Sequence, residues 1–190
     1  MTRAALLALV LAIAGVACSG DDDDAAVPDG TTTTTSSTAP TSTTAKPASI
    51  EDEVTARYLA YWDARLAANE EGAPESDDEL RDLATGAQLK QVLEETVRNR
   101  EEGIAFRRPE SSVAEHRVSI IEIADDIARL HDCSVNDGIV YRVATGEVID
   151  DSVGTNSVEA TMRLVDGVWK LEAARLLQQW DGIAGCALAE

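Results

Sequence analysis

The side chains able to do chemistry in this 190-residue chain are few: two histidines, three cysteines and a large excess of carboxylates. The histidines are His116 and His131, and the cysteines are Cys18, Cys133 and Cys186. No Cys-x-x-Cys or His-Glu-x-x-His spacing occurs, so no zinc motif is written in the chain. No glycine-rich phosphate loop occurs either, and no metal or nucleotide cofactor is expected. His131 and Asp132 are neighbours and have the residue types of an acid/base pair. In a strand, however, successive side chains point to opposite faces, so the two cannot share one site. His131 and Cys133 do share a face, which leaves a histidine beside a cysteine pair as one way of assembling ligands.

Cys18 follows a segment with the three parts of a secretory signal: a basic start at Arg3, a continuous apolar run from Ala4, and small residues before the cysteine. The run of about 14 residues is short of the roughly 20 that a membrane-spanning helix needs. The segment resembles bacterial lipoprotein signal peptides through Val16, Ala17 and Cys18, with Gly15 standing where that family usually has Leu, Val or Ile. The resemblance implies that residues 1–17 are removed, that Cys18 carries lipid, and that the protein sits on the outer face of the cytoplasmic membrane. The alternative is ordinary secretion, with cleavage after Ala14. Residues 18–48 then form a tether. Asp21 to Asp24, Thr31 to Thr35 and three prolines leave almost nothing apolar to offset the entropy of ordering, so a disordered linker is expected. As a random coil it spans on the order of 30 Å. The aspartate run lacks the alternating ligands and the glycine of a calcium loop.

Lipid on Cys18 leaves Cys133 and Cys186 as an even pair in an oxidising compartment, where a disulfide is the expected state. The bridge closes a loop of more than 50 residues, worth up to about 4 kcal/mol by loop entropy. A reactive or metal-binding pair is the competing reading. The formal charge of −19 argues against nucleic acid, whose phosphates need a basic surface. It also disfavours docking of the folded part itself on anionic lipid.

Residues 49–190 are long enough for one domain with its own core. Ile50, Val54, Tyr58 and Tyr61, widened by Leu59, Trp62 and Leu66, recur at helical spacing. Ser76 and Glu79 read as a capping box opening a short helix to Ala84. A longer helix after Gly86 carries Leu89, Val92, Leu93, Thr96 and Val97 on one face, with Gly103 as its C-terminal cap. From Ile104 onward the texture is strand-like, punctuated by turns at Asp125-Asp126, Asn136-Asp137-Gly138, Thr145-Gly146 and Asp166-Gly167. Helices followed by antiparallel strands give an α+β fold, with the helices covering one face of the sheet.

This order of elements, with Ala160-Thr161-Met162-Arg163-Leu164-Val165-Asp166-Gly167-Val168-Trp169-Lys170-Leu171 and the stretch Tyr58-Leu59-Ala60-Tyr61-Trp62, resembles the nuclear transport factor 2-like superfamily. That group includes SnoaL-like and ketosteroid-isomerase-like proteins. The whole chain resembles actinobacterial lipoproteins that carry such a domain behind a Thr-rich tether. The resemblance implies a strongly curved antiparallel sheet wrapped against the N-terminal helices, which leaves a cone-shaped cavity, with Tyr58, Tyr61, Trp62 and Trp169 as candidate lining. Catalytic members place carboxylates and a tyrosine there, to abstract a proton beside a carbonyl. Tyr58 and Tyr61 are then the candidate oxyanion donors, but Asp63, the nearest acid, turns away from their stripe, and no catalytic residue is assigned. The expected role is a non-catalytic domain that binds a small apolar ligand or an envelope protein. An isomerase or dehydratase acting on a small apolar substrate is the alternative.

Overall fold

A computed structural model describes residues 49–74 and 76–186. These lie within one compact unit spanning residues 45–190. The signal segment, Cys18 and the tether lie outside the described residues.

Helix α1 runs Ile50–Ala67. It starts at Ser49 because that side chain and Asp52 satisfy each other's backbone N–H groups, at 3.1 and 3.0 Å, in a reciprocal cap. Val54, Tyr58, Tyr61 and Ala64 form its buried stripe. Ile50, counted on that stripe by spacing, is the first residue of the helix and is 56% exposed. Helix α2 spans Asp78–Leu83. The capping box expected at Ser76 and Glu79 does not form. Ser76 instead bonds Asp78, and the carboxylate of Asp77, which precedes the helix, is taken by Arg100 at 2.9 Å. Helix α3 spans Gly86–Glu102 and ends on Gly103 in the left-handed conformation, φ 64°. Its inward face continues to Asn99, while Val97 turns out to solvent. Asn99 donates to Asn69, and Asn69 to Thr96 and to the Arg65 carbonyl, so a buried amide network joins α3 to the end of α1.

The strands form two antiparallel sheets, and neither closes into a barrel. The smaller has the order β1 (Ile104–Arg107), β4 (Ile139–Arg142), β5 (Val148–Asp150). The larger has the order β2 (Glu115–Ala124), β3 (Ile127–Asn136), β6 (Gly154–Val165), β7 (Val168–Asp181). The single sheet expected from the sequence is thus divided. Asn136-Asp137-Gly138 is a corner at which the chain leaves the large sheet for the small one. Asn136 Oδ1 accepts from the Gly138 N–H there, and the Asp137 carboxylate holds Ser112 and the Val113 N–H. Asp166 and Gly167, at φ 52° and 80°, make the tight β6–β7 turn.

The inner face of the large sheet packs on the helices through Ala128, Leu130, Ala160, Met162, Trp169 and Leu171, against Val54, Tyr58, Leu80 and Val92. Its outer face carries charge instead. Arg129 and Arg175 flank Glu159 at 3.2 and 3.3 Å, and Arg163 bridges Glu172 and Asp126. Cys133 and Cys186 are joined, so the bridge expected from cysteine parity ties β3 to the C-terminal segment.

Candidate functional site

Strand β3 alternates inward Leu130 with outward His131, and the same alternation sends Asp132 into the core, where it is fully buried. A carboxylate there requires partners. Two arrive at one oxygen, Oδ2: the Tyr58 hydroxyl from α1 at 2.9 Å, and Nδ1 of His116 from β2 at 2.6 Å. In the β2–β3 register Val118 stands opposite Asp132 and His116 opposite Ser134, so the histidine reaches the carboxylate on the diagonal. The other oxygen, Oδ1, is buried with no hydrogen-bond partner among the described residues.

Trp62, one turn after Tyr58, completes the cluster. Its ring stacks on His116 at 6.0 Å and 25°, and meets Tyr58 and Tyr61 edge-on. Its indole N–H is buried without a hydrogen bond of ordinary geometry, yet it lies close enough to the Tyr58 hydroxyl to oppose the rise in that group's pKa. The net shift of Tyr58 is strongly upward, through burial first and the Asp132 charge second. Tyr61 is also raised, by burial, while Gln88 and Arg65 act in the opposite sense. Gln88 donates to the Tyr61 hydroxyl at 2.7 Å and accepts from the Ala174 N–H of β7, which fixes both side chains.

Beside this cluster lies a cavity of about 540 Å³. Tyr61, Trp62 and His116 form one wall, Gln88 and Val92 of α3 another, and Phe106, Val140, Val158 and Leu176 complete it from both sheets. Arg65 lies over the rings of both Trp62 and Phe106, at 5.7 and 5.9 Å, and pairs with Glu95 at 2.6 Å. Arg65, Glu95 and Arg108 give the rim its charge. The volume falls within the roughly 300–1,000 Å³ of small-molecule sites. No cluster of metal-ligating side chains occurs among the described residues.

Of the four aromatic residues taken from the sequence as candidate lining, Tyr61 and Trp62 line this cavity. Tyr58 sits behind them, wholly buried on Asp132. Trp169 is packed in the core near the β6–β7 turn, where its carbonyl accepts from Arg57, and it does not line the cavity. Asp63 is solvated and pairs with Arg108. No local pattern pairs Asp132 with His116, because they stand on different strands 16 residues apart. The one available signal was an acid on the strand face that begins with Ala128 and Leu130.

No family model and no curated protein sequence matches the chain. Among solved structures it is similar to the intermembrane space region of the chloroplast protein ARC6. The two are 13% identical with a TM-score of 0.54, over 66% of this chain and 96% of that one. At that identity the likeness is one of fold alone.

Proposed function

We propose that the domain is a non-catalytic binding module of an exported lipoprotein, held at the outer face of the cytoplasmic membrane through Cys18, and that the cavity beside Trp62 takes a small, largely apolar ligand. The cavity carries this reading: it is about 540 Å³, its apolar part is formed by Trp62, Val92, Phe106, Val140, Val158 and Leu176, and polar groups such as Gln88 and Arg65 stand beside that part to orient a guest. A helix layer over a curved sheet, of the nuclear transport factor 2-like kind, is the architecture that would leave such a space. An envelope protein docked at the cavity mouth is the accessory form of the same reading.

The test uses Nile red as a neutral apolar probe. The full chain is expected to bind it with a rise in fluorescence, and Val92→Trp, which fills the cavity, to reduce binding at least tenfold at unchanged circular dichroism. Equal binding by both proteins rejects the cavity as the site. Mass spectrometry of the native N-terminal peptide tests the anchor, and an unmodified Cys18 peptide refutes it.

The buried Tyr58–Asp132–His116 network favours a second reading, an isomerase or dehydratase. Asp132 is sealed from the cavity, so a substrate would meet only His116, oriented by Asp132 at Nδ1 and able to take or give a proton at Nε2. Conversion of 3-cyclohexenone to its conjugated isomer, followed by ultraviolet absorbance, is the test. Turnover lost in His116→Gln supports the enzyme, and no turnover above buffer counts against this reaction.

A further inference from the structure

A second groove, of about 480 Å³, contains chemistry that the cavity does not use. It wraps the β2 edge of the large sheet, and both Cys133 and Cys186 line it, together with Arg117 and His131. The two sulfurs are not equivalent. Cys133 is 2% exposed, in the middle of β3, whereas Cys186 is only half-buried, in the segment that follows β7. Arg117, opposite Cys133 in the β2–β3 register, places Nη2 3.5 Å from Cys133 Sγ. Its other charged neighbour, Glu115, is 3.9 Å from Nε. Cys186 holds a left-handed backbone, φ 51°, which residues other than glycine adopt infrequently.

We propose that this disulfide is a thiol-exchange site with a fixed direction: an incoming thiolate attacks Cys186, and Cys133 is the leaving group. The partner class is an exported dithiol protein or a low-molecular-weight thiol. In the first step a bond forms between the incoming sulfur and Cys186 Sγ. The Cys133–Cys186 bond breaks, and its electron pair stays on Cys133 Sγ as a thiolate beside the Arg117 guanidinium. The incoming thiol has already given its proton to solvent. A second external thiolate then displaces Cys186, so the external pair is oxidised to a disulfide and the protein pair is reduced. Access selects the sulfur attacked, and stabilisation of the departing thiolate speeds the step. The structural consequence is release of residues 182–186. The disulfide anchors that segment, together with the Thr155 hydroxyl on the Gly182 carbonyl at 2.6 Å and Gly185 seated against Trp180 and Thr155.

The experiment treats the native full chain with glutathione in the presence of iodoacetamide and maps the peptides by mass spectrometry, with Cys18 read separately. Glutathione on Cys186 together with alkylated Cys133 is expected in about tenfold excess over the reverse pattern, a preference that denaturant abolishes. Arg117→Gln is expected to slow the first step about threefold, and Arg117→Lys to restore part of the rate. Glutathione found mainly on Cys133, an even distribution, or no adduct on the folded protein overturns the proposal. If Arg117→Gln fails to fold, the position of the adduct in the unaltered chain decides alone.

Discussion

Asp132 is the residue on which the interior turns. Its carboxylate is wholly buried and held by two donors on one oxygen, so its removal leaves a tyrosine hydroxyl and a histidine N–H without a partner. Asp132→Ala is expected to lower the unfolding free energy by about 3 kcal/mol in urea titrations. Loss of less than about 1 kcal/mol would mean that the network does not stabilise the fold. All three tyrosines have raised pKa values, each chiefly through burial, and this sets an alkaline limit. An unfolded chain releases tyrosine protons near pH 10. Above that pH the unfolded state binds fewer protons than the folded state, so stability falls as pH rises, while below it the contribution is fully present. Unfolding free energy is expected to drop between about pH 10 and 11.5, and Tyr58→Phe to show a shallower slope. A flat profile for the unaltered chain would contradict the burial of these hydroxyls.

Among the elements, α1 does the most positioning. One face carries Tyr58 to Asp132 and, a turn later, Trp62 to His116 and the cavity, so the rotation of this helix sets the geometry of both. Its start depends on Ser49 and Asp52. Ser49→Ala is expected to cost about 1 kcal/mol, read as a lower melting temperature and faster amide exchange in the first turn. The pKa of Asp52 is lowered, first by the Ser49 backbone N–H and then by its hydroxyl. The cap is therefore present above the ordinary aspartate range and lost as pH falls through the lowered value. Asp52→Asn and the unaltered chain should accordingly converge in stability at low pH, where the Asp52 carboxyl is protonated, and a constant difference down to pH 2 would reject the carboxylate half of the cap. The β6–β7 hairpin is fixed in the same local way, by two residues that accept positive φ.

In the whole molecule, a disulfide of sequence separation 53 spans β4, β5, β6 and β7 and restrains much of the large sheet. Replacing both cysteines by serine is expected to cost about 2–4 kcal/mol while leaving the circular dichroism of the folded protein unchanged. A loss of the fold at room temperature would show that the inner core alone does not suffice. The excess of acid is spread over the outer surfaces and partly neutralised by the Arg129–Glu159–Arg175 and Arg163–Glu172 pairs. The Glu159 pKa is lowered, first by its hydrogen bond to Arg175. The charge of the chain thus governs its outer surfaces, and it reaches the cavity at the rim, where Arg65 lies over Trp62 and Phe106 and pairs with Glu95.

Local rules were enough for the α+β class, the left-handed cap at Gly103, the Asp166-Gly167 turn and the outward turn of His131 away from Asp132. Each depends on residues a few positions apart, where periodicity and backbone preference decide the outcome. Cysteine parity pointed to the Cys133–Cys186 bridge for a chemical reason that needs no geometry. Tertiary structure alone decided the rest. Ser76 bonded Asp78 and Arg100 took the carboxylate of Asp77, so α2 starts without the cap expected at Ser76 and Glu79. The corner at Asn136-Asp137-Gly138 split one sheet into two. Tyr58, His116 and Asp132 converged from three elements. Such meetings depend on strand register and on how a helix is rotated over a sheet, and these are set by the packing of the entire core rather than by any short stretch of residues.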